Sequence, residues 1–496
     1  MLLFVASRFL GLVREMVIGA RFGAGAELDA YLAAFRLPDL LFTLVAGGAL
    51  ASAFIPTFSE RLVHGRLDAA WDLASKVANL LVVILTVLAV LVVILAPILV
   101  DRLIAPGFTP EQKALTVVLM RWMLISTVIF GLSGLVMGIL NSFQHFLLPA
   151  LAPVVYNLAI ILAALFLAPS MGVQALVVGV IAGAAAHLLI QVPGLVRYGA
   201  RWSPGLSVQD PGVREVIRLM GPRVLGLAIV QINFMVNVFL ASNLASGSIS
   251  ALNYGWLIML LPQGIFAIAI ATAAFPTFAY QAARGERRAM RETLGGIFAL
   301  LIFLTLPAAV LLILLRLPLV TLLLQRGAFD AADTQLTAYV LAFFALGLVG
   351  HSVVEIAARG FYALKDTLTP VLVGLAAMTT NIVLSVVLVR PLGVGGLALA
   401  NSIATLAEMA LLMVLLRRRL GGWEERRVLR SLLHTLAATL LMAAVTIGLL
   451  RLGQGWPLPL QAVVVGGVAI AVYAAAAWAF RSPEARALPG LLRRQK

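Results

Sequence analysis

The sequence predicts an all-α polytopic membrane protein of about 14 transmembrane helices. Two six-helix lobes, related by a pseudo-two-fold axis along the membrane normal, are followed by two extra C-terminal helices. Three observations predict this. Of 496 residues, 62% are hydrophobic and 11% charged, against about 45–50% and about 25% in soluble chains. The apolar residues gather into stretches of the roughly 20 residues a bilayer span needs. The chain also resembles itself at an offset of 215–222 residues. This composition excludes a soluble enzyme, a disordered chain and a disulfide scaffold, and there is no cysteine for a thiolate metal site.

The first stretch, 2–21, carries Arg8, Arg14 and Glu15 and ends without a small-residue cleavage site, so it reads as a spanning helix and not as a signal peptide. The next five are 28–58, 72–100, 112–141, 147–168 and 172–196. A second set of six lies at 213–242, 248–279, 291–322, 332–363, 367–389 and 394–416. The last two are 430–451 and 458–480. Turn chemistry such as Gly23-Ala24-Gly25 and Ala105-Pro106-Gly107 separates them. The longest connections, near 197–212 and 417–429, are too short for an extramembrane domain. The resulting division is an N-lobe at 1–200, a C-lobe at 201–420, and helices 13 and 14 with a basic tail at 421–496.

A net charge of +15 would suggest nucleic acid as partner in a soluble protein. Here the cations follow the membrane instead. Loops after even-numbered stretches, with the C-terminal tail, hold 24 of the 36 Lys and Arg residues, and loops after odd-numbered ones hold seven. The positive-inside rule then places both termini in the cytoplasm. Five cations remain within spans: Arg8, Arg14, Arg36, Lys76 and Arg121. Lys76 is near a helix start and can snorkel.

The repeat pairs Arg8-Phe9-Leu10-Gly11-Leu12 with Arg223-Val224-Leu225-Gly226-Leu227. Pro56-Thr57-Phe58 recurs as Pro276-Thr277-Phe278, and Gly172-Val173 as Gly393-Val394. Gly138 and Pro149 parallel Gly360 and Pro370. Six helices per unit is an even number, so both halves enter from the same side, a recurrent transporter plan with the site between the halves.

Charges inside spans are costly and face a cavity or a partner. On the first helix Ser7, Gly11, Arg14 and Arg21 share one face, interrupted by Ile18, with Arg8 and Glu15 on the neighbouring strip. They make either an internal ion pair or a cationic wall for an anion, since the Arg fork suits phosphate oxygens. Helix 2 carries Asp29, Arg36 and Asp39 around Pro38: an Arg36–Asp39 pair at a kink, or a cavity lining. Arg121 faces either a ligand or an acid. In the second half, His351, Glu355 and Arg359 align at four-residue steps, as do Asn401, Thr405 and Glu408 approximately. Gln231, Asn233 and Asn237, with Asn253, Tyr254 and Gln263, are amides and a phenol of the kind that glue helices together. The five histidines show no metal-ligand spacing.

The N-terminal run Ser7-Arg8-Phe9-Leu10-Gly11-Leu12-Val13-Arg14-Glu15 is followed by Phe22-Gly23-Ala24-Gly25 and Asp29-Ala30. Then come Ala34-Phe35-Arg36-Leu37-Pro38-Asp39-Leu40-Leu41 and Ala53-Phe54-Ile55-Pro56. With Gly138-Ile139-Leu140-Asn141, Pro149 and Ala245-Ser246-Gly247-Ser248, this set resembles the MurJ/MviN family. That resemblance implies a flippase for lipid II, the undecaprenyl-diphosphate-linked peptidoglycan precursor, within the multidrug/oligosaccharidyl-lipid/polysaccharide exporter superfamily. It implies a multi-pass protein of the bacterial cytoplasmic membrane, a central cationic cavity, and a groove for the lipid tail formed by helices 13 and 14. Arg8, Arg14, Asp29 and Arg36 match family positions, and Ser7, Glu15 and Arg121 complete the expected substrate-binding set. The expected partners are lipid II or a similar polyprenyl-diphosphate-linked saccharide and the bilayer. No cofactor, enzymatic step or nucleic acid is expected, and the coupling ion is unassigned. The chain departs from the pattern at Phe42, Gly47 and Leu257, where the family usually has charged residues. The alternatives are a flippase for another lipid-linked oligosaccharide and a cation-coupled drug exporter of the same superfamily.

Overall fold

The computed structural model describes residues 2–45 and 48–486, and they are helical almost throughout, with no strand among them. In lipid a backbone must satisfy its own polar groups, and a helix does so within one segment. The helices in chain order are α1 (Leu2–Phe22), α2 (Ala26–Val45), α3 (Gly48–Val63), α4 (Leu67–Leu99), α5 (Pro110–Ser142), α6 (Leu147–Leu162) and α7 (Ala168–Met171). Next come α8 (Gln174–Leu189), α9 (Val192–Arg197), α10 (Pro211–Ala241), α11 (Ser248–Pro262), α12 (Ala269–Ala283), α13 (Arg287–Leu314) and α14 (Arg316–Leu323). Last are α15 (Ala331–Leu346), α16 (Leu348–Ala363), α17 (Leu368–Leu392), α18 (Val394–Leu420), α19 (Glu425–Leu452) and α20 (Leu458–Ala479). Wider π-helical turns at Val100–Ile104, Ala163–Leu167 and Gln263–Ile268 extend or join helices inside longer spans.

Among the described residues, ten helices are long and apolar enough to cross a membrane, or eleven if α15 and α16, bent by 44°, count as one span. Of the fourteen expected stretches, the first, second and seventh fall short. For α1 and α2 the reason is chemical, since both carry the charges noted above; in α10 several side chains before Val230 lie outside the described residues.

Local chemistry sets several boundaries. Thr109 and Gln112 form a reciprocal capping box at the start of α5, with Pro110 in the first turn. Asp210 accepts from the backbone N–H groups of Gly212 and Val213 to open α10. The repeat-related glycines adopt nearly the same backbone, Gly172 at φ 57° and ψ −144° and Gly393 at φ 54° and ψ −134°. An L side chain is excluded there, so the sequence pairing of these two positions reflects a shared conformational need.

The chain forms two compact units. The first is Met1–Ser250 with Arg326–Phe329. Within it α1 packs on α6, α2 and α4 on α5, α6 on α8, and α10 on α3 and α2. Its core holds Phe54, Phe58, Trp71, Leu73 and Leu135. Phe143 stacks on Tyr198 with ring centres 4.4 Å apart, and on Trp71 at 5.9 Å. The short segment Arg326–Phe329 joins this unit through the Ala328 N–H, which donates to the Ala20 carbonyl at 2.8 Å. Gly327 allows that approach: a Cβ there would overlap the same carbonyl oxygen, and its φ is +59°.

The second unit is Ala251–Gln325 with Asp330–Lys496. Here α18 packs on α17, α16 and α15, while α13 packs on α19 and α16, and α20 on α19 and α14. Its core holds Phe278, Met290, Leu294, Phe298, Phe361 and Leu416. Ser402 on α18 donates to the Phe343 carbonyl at 2.7 Å, serving backbone beside the bend between α15 and α16.

Candidate functional site

The sequence-predicted arginines lie in the first unit, in different settings. Arg14 on α1 is the most constrained. Its Nε donates to Glu15 Oε1 at 3.2 Å, its Nη2 pairs with the same oxygen, and its Nη1 donates to Asn157 Oδ1 on α6 at 3.0 Å. The Asn157 amide in turn donates to the Pro153 and Ser7 carbonyls, at 3.0 and 3.4 Å. Ser7, Arg14, Glu15 and Asn157 thus form one network joining α1 to α6. A guanidinium has five N–H donors, and the three engaged here leave two for an anion. Tyr31 and Tyr156 lie within electrostatic reach of Arg14, and Tyr156 also within reach of Asp39. Arg8 occupies an exposed position on α1, among the half-exposed and exposed residues of its first two turns.

On α2, Arg36 does not pair with Asp39: no ion pair joins them within 4.0 Å. Its guanidinium lies over the Phe234 ring of α10 at 5.4 Å, and its Nε is buried without a hydrogen-bond acceptor. Asp39 accepts instead from Gln231 Nε2 at 3.0 Å, which also donates to Thr43 at 3.0 Å. The Asn233 and Asn237 side-chain oxygens, farther along α10, are buried without a donor among the described residues.

Asp29 is almost fully buried. One oxygen accepts from the Gly247 N–H at 2.7 Å, and the other from the Ser250 N–H at 2.8 Å and the Ser250 hydroxyl at 2.6 Å. The carboxylate therefore caps the start of α11, where negative charge also meets the positive end of the helix dipole.

For Arg121 the structure answers the acid half of the choice left open by the sequence. It has no acid partner within ion-pair distance; its Nε donates to the Val93 carbonyl of α4 at 3.1 Å. Val93 is four residues before Pro97, and proline has no N–H to return to that carbonyl. Arg121, exposed beside exposed Trp122 and Ile125, serves a backbone oxygen that proline orphaned. Lys76 bridges Asp72 at 2.6 Å and Asp210 at 3.0 Å, and Arg61 also reaches Asp210 at 3.6 Å.

Of the departures from the family pattern, Phe42 is half-buried, packed against Phe130 with ring centres 5.6 Å apart. Leu257 is likewise half-buried. Gly47 lies outside the described residues, as do the side chains of Arg223, Leu225 and Gly226 in the repeat. Sequence reasoning missed Asn157, although an amide within the apolar run Val154-Val155-Tyr156-Asn157-Leu158 was a usable signal.

The second unit holds an apolar cavity of about 490 Å³, lined by Ile302, Val349, Met409, Met413, Leu429 and Leu432, with Arg426 and Glu425 also on its wall. It lies among α13, α16, α18 and α19.

Long apolar helices with cations held inside them define a polytopic membrane protein. The fold matches an inward-facing multidrug resistance MATE family transporter of the MOP superfamily, with a TM-score of 0.70 over 84% of this chain and 96% of that one. At 14% identity this likeness concerns the fold alone. A solved lipid II flippase MurJ, in an inward closed conformation, matches with a TM-score of 0.82 and 27% identity, over 98% of this chain and 100% of that one. The probable lipid II flippase MurJ of Vibrio cholerae serotype O1 is 32% identical over 419 residues, covering 82% of this chain and 79% of the relative. The lipid II flippase MurJ of Burkholderia cenocepacia is 32% identical over 450 residues, covering 88% and 86%. The family profile of the lipid II flippase MurJ matches residues 18–463. The chain belongs to the MurJ family of lipid II flippases. It is accordingly a transporter and not an enzyme, and a multi-pass membrane protein of a bacterial family.

Proposed function

We propose that the chain flips lipid II from the cytoplasmic to the outer leaflet of the bacterial cytoplasmic membrane, with both termini cytoplasmic, by holding the diphosphate on Arg8, Arg14 and Arg36. The task is to carry a charged, hydrated headgroup across about 30 Å of hydrocarbon. The observation that carries this reading is the anchored guanidinium of Arg14. Glu15 and Asn157 fix its plane while two N–H groups stay uncommitted. A pre-oriented fork binds phosphate oxygens at lower ordering cost than a free one. Ser7 and Glu15 act by positioning Arg14, and Asp29 by anchoring the turn before α11. Arg121 contributes by completing the backbone of α4.

The lobes at 1–200 and 201–420 then expose the headgroup to alternate sides, in keeping with the even-numbered repeat. The polyprenyl tail stays in an apolar setting along the helices of 421–496, and the cavity beside α19 supports that placement. The rival readings, a flippase for another lipid-linked oligosaccharide and a drug exporter, are not favoured by the family match. The test is lipid II translocation in reconstituted vesicles and rescue of a strain lacking its own flippase. Arg14→Ala is expected to abolish both, while Asn157→Ala weakens translocation less. Normal translocation by Arg14→Ala overturns the role given to this residue.

A further inference from the structure

The second unit carries a polar column that the diphosphate reading does not use. On α16, Arg359 Nη2 pairs with Glu355 at 3.0 Å, one helical turn back. The Arg359 Nη1 atom is buried without a hydrogen-bond partner. One turn before Glu355, His351 Nε2 meets Asn401 Oδ1 at 3.0 Å and the Thr405 hydroxyl at 3.4 Å, both on α18, and its ring stands edge-on to Trp256 at 5.2 Å. On α18, Glu408 is half-buried near the middle of the helix, nine residues before Arg417. That spacing places it about 14 Å along the axis from the basic end. Among the described residues Glu408 makes no hydrogen bond and no ion pair. Glu355, Arg359 and Glu408 all lie within electrostatic reach of the Tyr362 hydroxyl.

We propose that Glu408 is a proton-binding site, loaded and unloaded during the transport cycle. The Arg359 guanidinium is committed to Glu355, and among the described residues Glu408 has no ion-pair partner. The titratable and charged residues of α16 are His351, Glu355, Arg359 and Tyr362, and of these Tyr362 lies within electrostatic reach of Glu408. The nearest part of α17 is Gly374, and the ionisable residue of α17, Arg390, is at its far end. On α15 the ionisable groups are Asp333 near its start and Tyr339, whose hydroxyl is bound to the Leu392 carbonyl. Among the described residues no cation of α15, α16 or α17 pairs with Glu408, so an ionised Glu408 leaves one uncompensated charge inside a spanning bundle, which lipid strongly disfavours.

A proton removes that charge with no other ligand, whereas a metal ion needs several oxygens. No group of three or more His, Asp or Glu side chains suited to a metal occurs among the described residues. The step is balanced: an O–H bond forms on the Glu408 carboxylate with a proton taken from water at one membrane face, and it breaks on release at the other. Loading changes the net charge of the column by one, and any conformational equilibrium that changes the column's hydration is biased by it. The coupling to transport rests on the lipid II reading above; the proton site itself does not.

The experiment therefore has two arms. Infrared difference spectra of the purified protein in lipid nanodiscs, recorded against pH without lipid II, are expected to show a protonated carboxyl C=O band that Glu408→Gln removes and Glu408→Asp shifts. If the glutamine variant does not fold, the aspartate variant decides by that shift. In vesicles, an imposed pH gradient is expected to change the wild-type rate of lipid II translocation severalfold, and in Glu408→Gln the ratio with and without the gradient falls to one. A carboxyl band unchanged in both variants, or a gradient response that Glu408→Gln retains in full, overturns the proposal. Failure of the wild type to move lipid II would instead strike the flippase reading and leave the spectral result to decide the proton site.

Discussion

The two compact units share repeat-related packing positions and differ in polar chemistry. Pro56-Thr57-Phe58 in the first and Pro276-Thr277-Phe278 in the second each place a fully buried phenylalanine in the unit's core. Gly172 and Gly393 share an unusual backbone conformation. Yet the first unit holds Arg14 on an acid and an amide with donors to spare, whereas the second closes Arg359 on Glu355 and, among the described residues, leaves Glu408 without a counter-ion. The difference teaches that duplication preserved what the helices need in order to pack and left the buried charges free to diverge.

Substitutions at paired positions can break or sharpen this comparison. Phe58→Ala and Phe278→Ala are expected to be the most damaging, each costing about 3–5 kcal/mol as a large cavity opens. Thermal unfolding in detergent should show similar losses, and a strongly unequal pair would break the equivalence of the two cores. Asp29→Ala strands the buried Ser250 and Gly247 N–H groups, at a cost of about 1–3 kcal/mol each when such groups lose a partner. Faster hydrogen exchange at the start of α11 checks it, and no second-unit counterpart is expected to behave alike.

Arg121→Leu is a smaller change, about 1 kcal/mol. In a Pro97→Ala background, where the restored N–H answers Val93, it should cost almost nothing; an undiminished cost would refute the account of Arg121. The mildest effect concerns pH. The Thr369 backbone N–H, followed by its hydroxyl, holds the Asp366 carboxyl below its usual range before α17. A lowered folded-state pKa gives stability that is full above the ordinary carboxylate value of about 3.9 and fades as pH falls below it. Acid unfolding of Asp366→Asn should lack that component.

Much of this was legible in the sequence. The apolar stretches foretold nearly all the helices, because a 20-residue apolar run has few other fates. The repeat was legible because glycine and proline are demanded by backbone geometry. Arg14 and Glu15 could be seen as neighbours, but Asn157 is 143 residues away, and nothing local marks it as their partner. Arg121 was ambiguous because its acceptor is a carbonyl, which every residue has. Asp29 looked like a charge for a ligand, while its carboxylate is filled by amides at 247 and 250. The expected spans that fell short of full apolarity include α1 and α2, which carry the arginines of the candidate site. The charge that weakens their membrane signal is also what the proposed contact with the diphosphate calls on.

The π-helical turn at Gln263–Ile268 joins α11 and α12 into a single span, Ser248–Ala283. Such a turn accommodates one surplus residue, and each added residue rotates the rest of the helix by about 100°. The side of α12 that lies in line with Tyr254 of α11 is thus not the one that straight helical counting would choose. A cysteine-accessibility scan along this rod will show its periodicity skip at that turn, and deleting one residue there should re-aim everything downstream without shortening the hydrophobic reach by more than about 1.5 Å.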